Sequence, residues 1–145
     1  MGRFEVLLLF LAVSGPLVVS LTTFRVNGTV TCSLNKQFRY HVILMEDDDI
    51  GGDDVVAVQH TSSGWGTAGF TLAGNQSLDW GGEFEVYLRI IHTCRNWEGK
   101  PDLTWEIPLG DFSKDKREVT LYNYNFNITN KGNDVYTVGG KKRFE

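Results

Sequence analysis

The sequence is poor in the residues that announce most specialised chemistries. Cysteine occurs twice in 145 residues, at Cys32 and Cys94, too few for a disulfide-dense scaffold and without the spacing of a zinc site. Proline occurs three times: Pro16 interrupts the leader, Pro101 belongs to a turn, and Pro108 marks the edge or end of a strand. No lysine–arginine stripe is present, and 14 basic against 18 acidic residues leave a formal charge of -4. That balance excludes a nucleic-acid partner, whose phosphates demand a basic face, and disfavours adhesion to membranes by bulk electrostatics. There is no Ser/His/Asp signature, no phosphate-cradling glycine loop, no internal repeat and no linker. No cofactor and no metal are expected.

The one strongly apolar run lies at the start. Arg3 is followed by Val6 to Val13, then Ser14-Gly15-Pro16 and Leu17-Val18-Val19. This is shorter than the roughly 20 apolar residues that span a bilayer, and a basic start, apolar middle and small-residue exit describe a secretory signal. Residues 1–20 are expected to be that signal, cut after Ser20. The rest, about 125 residues, is the size of one domain and large enough to bury a core. Residues 21–129 are expected to form it and residues 130–145, rich in Gly, Lys and Asn, a flexible tail.

Within the domain the period is two. Phe24, Val26, Gly28, Val30 and Cys32 alternate with Arg25, Asn27, Thr29 and Thr31, which predicts a half-buried strand. Arg39 to Glu46 is apolar on both faces and reads as a central strand or one facing a partner. Val55–His60 and Phe70–Leu72 are shorter strands around a Gly64-Trp65-Gly66 turn, and Phe84, Val86, Leu88, Ile90, His92 and Cys94 share a face of a long one. Leu103–Leu109 and Glu118–Phe126 complete seven strands, an all-β sandwich of antiparallel strands. The parity sends Cys32 and Cys94 inward, so one bridge between them is expected in an oxidising compartment; free thiols or an intermolecular bridge are the alternatives.

Several segments are similar to the nematode transthyretin-like proteins. Gly28-Thr29-Val30-Thr31-Cys32 resembles their first strand, and Val42 to Asp47 their second, which leads into an acidic turn. Phe70-Thr71-Leu72-Ala73-Gly74 resembles their F-x-L-x-G segment, and Tyr87 to Cys94 their strand ending His-x-Cys. Lys100-Pro101 and Trp105-Glu106-Ile107-Pro108 resemble the lysine–proline turn and the strand after it. The resemblance covers roughly Phe24 to Phe126. It implies a transthyretin/prealbumin-like seven-stranded β-sandwich, secretion, and binding rather than catalysis. Where many members carry a further cysteine this chain has Asp102, so Cys32 is the intramolecular candidate for Cys94.

A sister branch of that fold hydrolyses hydroxyisourate with histidines, an arginine and a Tyr-Arg-Gly-Ser tail; this chain ends Gly139-Gly140-Lys141-Lys142-Arg143-Phe144-Glu145. His41, His60 and His92 lack the carboxylate and oxyanion context of a general base, so no enzyme is expected. Glu46 to Asp54 lacks the ligand order of a calcium loop and reads as a solvated turn. Gly140 to Arg143 resembles a prohormone processing site, and a peptide precursor is a further alternative. Asn27, Asn75 and Asn127 open N-x-S/T sequons and are glycosylation candidates. Trp65, Trp80 and Trp97 lie in glycine-flanked or polar segments expected at the surface, as binding anchors or as lids on the sandwich ends. The expected partner is a hydrophobic or lipid ligand or a cell-surface protein, met outside the cell.

Overall fold

The computed structural model describes residues 21–48, 52–77 and 82–134. Its elements are β1 (Leu21–Thr31), β2 (Gln37–Asp47), β3 (Asp54–Trp65), β4 (Thr67–Ser77), β5 (Glu83–His92), β6 (Leu103–Ser113), β7 (Glu118–Asn127) and the two-residue β8 (Asn133–Asp134). They form two sheets, ordered β4-β1-β7 and β3-β2-β5-β6-β8. β1 to β7 are the seven strands the alternation predicts, and β8 adds a short rung on β6. One pairing departs from the antiparallel expectation: β7 runs parallel to β1, while β4 pairs with β1 antiparallel. Alternation fixes which side chains face inward and is silent about strand direction.

The inward sets meet between the sheets. Phe24, Val26, Val30 and Cys32 of the first sheet's centre, with Phe70 and Leu72 of β4, face Phe38, Val42 and Leu44 of β2 and Phe84, Val86, Leu88 and Ile90 of β5. Phe24 meets Phe84 edge-on at 5.6 Å, the arrangement the ring quadrupoles favour. β2 lies between β3 and β5, which explains why it is apolar on both sides. Its outward Met45 is also buried, beside Tyr87, whose hydroxyl donates to Asp53 at 2.6 Å. Strands β3 and β4 are longer than the apolar runs Val55–His60 and Phe70–Leu72. Their outer stretches are polar but continue the ladders to β2 and β1, as in the pairs Gln37↔Trp65 and Thr31↔Thr67.

Two features set the ends of the sandwich. Cys32 and Cys94 are bridged, closing 62 residues of sequence separation and joining β1 to β5 across the layers. Gly28 allows β7 to lie close, since a Cβ there would strike the Tyr124 carbonyl. Around the bridge lie the β1–β2, β3–β4 and β5–β6 connections and the segment after β7. The Cys32 N–H donates to the Gly66 carbonyl at 2.7 Å and the Lys36 ammonium to the Arg95 carbonyl at 2.7 Å. Residues 130–134 do not belong to a loose tail. The Asn130 N–H donates to the Cys94 carbonyl at 2.9 Å, and Asn133–Asp134 pairs with Leu103–Thr104. The polarity of this segment reflects its place at the rim. Residues 1–20 and 135–145, which hold the expected signal and the rest of the expected tail, lie outside the described residues.

Candidate functional site

The disulfide end brings together two of the three tryptophans singled out above. Trp65 closes β3 opposite Gln37, and Trp97 lies three residues beyond Cys94. Neither folds back as a lid: they are 63% and 69% exposed. Trp80 lies outside the described residues. At the same end the Lys36 ammonium is held by the Arg95 carbonyl at 2.7 Å, and Arg39 lies 3.8 Å from Asp102.

Beside Trp97 is a cleft of about 510 Å³ between the β5–β6 loop and the segment entering β8. Arg95, Asn96, Asn130, Asn133 and Asp134 line it, and no motif in the sequence marks any of them as a site. The signal available was the density of Asn and Asp in Arg95-Asn96 and Asn130 to Asp134, which composition alone assigns to loops. Arg95 is buried, donating from one terminal nitrogen to the Pro101 carbonyl at 2.6 Å and to Asp134 at 2.7 Å.

The histidines do not converge. His92 faces inward and is 1% exposed; its Nδ1 accepts from the Cys94 N–H at 3.2 Å and its Nε2 lies 3.0 Å from the Lys131 carbonyl. An acceptor at Nδ1 and a donor at Nε2 fix the neutral tautomer. Burial carries its pKa down to about 4. His41 lies on the outward face of β2 with its ring 6.3 Å from that of His60. Burial, then the charge of His60, lowers its pKa. The three are therefore split between opposite faces of the five-stranded sheet, and no general-base constellation is assembled from them.

At the other end, Glu46, Asp48 and Asp54 bring carboxylate oxygens within 4.8 Å of one another, an arrangement that could hold a divalent cation. This stretch does not all lie in water, as a solvated turn would. Glu46 is 2% exposed because β2 carries it inward at the end of the core, and one of its oxygens has no partner among the described residues. Burial first, then the charge of Asp48 and a hydrogen bond with it, raises the Glu46 pKa to about 8, with the Lys114 ammonium opposing. A carboxyl that keeps its proton at neutral pH relieves the repulsion among the three carboxylates.

Of the sequons, Asn75 and Asn127 are exposed, while Asn27 is half-buried and lines a second, shallow cleft of about 440 Å³ over the three-stranded sheet. The Asn127 amide donates to Ser33 at 3.1 Å, and Asn75 accepts from Thr23 at 2.9 Å.

A disulfide-joined sandwich with one buried core cluster between its sheets and with exposed tryptophans on its end loops defines an all-β domain that presents side chains from its rim. The Transthyretin-like family model matches residues 27–108 of this chain. The chain belongs to the transthyretin-like family. No curated protein and no solved structure matches it.

Proposed function

We propose that the chain is a secreted, non-enzymatic binding protein that engages a cell-surface partner through the disulfide end of the sandwich. The observation that carries this reading is the pair Trp65 and Trp97, large indoles held in water at one end. Exposed tryptophans are costly to leave solvated and are the side chains most often found as interface anchors. The bridge between Cys32 and Cys94 supports an oxidising compartment, hence secretion. Among the described residues the two sheets pack their inward side chains into one buried cluster, which speaks against a lipid carried between them. The split histidines speak against a hydroxyisourate-type hydrolase.

The test is to express the chain with its own leader, recover it from the medium, and measure binding to cells by flow cytometry. Trp65→Ala with Trp97→Ala should lower binding by about tenfold or more, the usual scale for an aromatic anchor. Retention of the chain inside the cell, or undiminished binding by the double variant, refutes the reading.

A further inference from the structure

The cleft beside Trp97 has a chemistry of its own. Its wall is built, not incidental. Gly132 adopts φ 92, and a Cβ there would strike the Thr104 carbonyl, so the segment entering β8 lies flat on β6. Asn130 clamps the opposite side, its N–H donating to Cys94 at 2.9 Å and its Oδ1 accepting the Asn96 N–H at 2.8 Å. The floor holds Arg95, whose charge is matched by Asp134 at 2.7 Å. The Nε–H of Arg95 is buried without an acceptor among the described residues.

We propose that this cleft binds a neutral carbohydrate, one or two sugar rings of a glycan. A pyranose presents a flat patch of C–H groups and a rim of hydroxyls, each both donor and acceptor. Trp97 supplies a broad, exposed ring to lie against the first. The carboxamides of Asn96, Asn130 and Asn133 combine donors and acceptors to meet the second. Because Asp134 neutralises Arg95, the floor offers no net charge to attract an anion. At about 510 Å³ the cleft falls within the usual range for a small-ligand site. This deepens the proposed function and rests on its reading of the disulfide end: the partner recognised there is glycosylated.

The test applies the full secreted chain, freed of its own N-glycans with a glycosidase, to an array of neutral and acidic glycans, followed by titration with the hits. Neutral glycans should bind. Trp97→Ala should weaken that binding by about tenfold, Trp97→Phe should keep much of it, and Asn133→Ala should weaken it several-fold. Trp97 is exposed, so its variants fold. An array that is blank, or that lights only acidic glycans, overturns the inference, as does binding indifferent to Trp97→Ala. Stripping glycans from the target cells separates the two readings. If wild-type binding survives stripping yet still depends on Trp65 and Trp97, the carbohydrate inference fails and the binding surface stands. If binding is lost on stripping, both are supported.

Discussion

Replacing Glu46 by glutamine makes the sharpest test of the acidic end. Glu46 sits at the base of the core, 2% exposed, with its pKa raised from 4.5 to about 8. In the unfolded chain the carboxyl ionises near its ordinary value; in the folded chain it keeps its proton. Below pH 4.5 both states are protonated and the group is neutral to stability. Above that, the unfolded state binds fewer protons than the folded one, so stability falls as pH rises, by about 1.4 kcal/mol per pH unit. By about pH 8 the accumulated loss reaches a ceiling of about 5 kcal/mol. The Lys114 ammonium opposes the shift, and the value of about 8 already includes its effect. Glutamine keeps the shape and one donor and carries no charge at any pH. Urea unfolding from about pH 4.5 to 8.5 should therefore give wild type and Glu46→Gln similar stability at the acid end, with the variant ahead by a few kcal/mol at the alkaline end. The difference between the two curves isolates Glu46 from the histidines, which titrate identically in both. Parallel curves would refute the argument. So would calcium that stabilises the wild type alone at about pH 8, for then a cation and not a proton would settle the three carboxylates.

The remaining predictions concern the frame. Replacing both Cys32 and Cys94 by serine, which opens a loop of 62 residues, should lower the unfolding free energy by about 4 kcal/mol on the chain-entropy account, read by urea denaturation; a loss under about 1 kcal/mol would contradict it. His92, held neutral with its pKa near 4, should cost stability as pH falls from about 6.5 toward 4, up to about 3 kcal/mol, because the unfolded state takes the proton first; His92→Gln should flatten that limb. Gly28→Val forces a side chain into the Tyr124 carbonyl and should lower the melting temperature by 10 °C or more, as expected for about 2 kcal/mol or greater, seen by calorimetry. Mass spectrometry of secreted protein before and after glycosidase should show sugar that Asn75→Gln and Asn127→Gln reduce stepwise, since both sites are exposed.

How much of this is legible in the chain follows from what two-residue alternation encodes. It encodes faces, so Phe24 to Cys32 and Phe84 to Cys94 are readable as inward rows, which makes a bridge between their ends the expectation and leaves free thiols or an intermolecular bridge open. It does not encode strand direction, which is why the parallel pairing of β7 with β1 is invisible in the sequence. Nor does it mark strands whose outer residues are polar, so β3 and β4 run past their apolar runs. The resemblance carried by the His-x-Cys strand and the lysine–proline turn supplies the family where periodicity supplies only a class. The site was half legible. Trp65 and Trp97 can be placed at the surface from their glycine and polar neighbours, but Arg95 cannot be seen as buried, because its burial depends on Asp134, 39 residues on.

That long-range contact also explains where recognition can reside in such a fold. A sandwich of this width fills its interior with the side chains that hold it together: Phe24, Phe84, Leu44 and Leu88 are fully buried, and carving a ligand cavity among them would remove the contacts that stabilise the domain. The sheet faces are constrained by alternation. The end loops are free of both demands, provided something fixes them. Here the bridge ties Cys94 to β1, His92 holds the Lys131 carbonyl, and Gly132 presses its segment onto β6. The rim at the disulfide end is therefore rigid without being part of the core, which is the condition for presenting Trp97 and its polar neighbours in one geometry before a partner arrives. Gly132→Ala tests this directly. It should leave the unfolding transition cooperative while weakening binding at the rim, because the strain falls on the segment that walls the cleft and not on the inward rows.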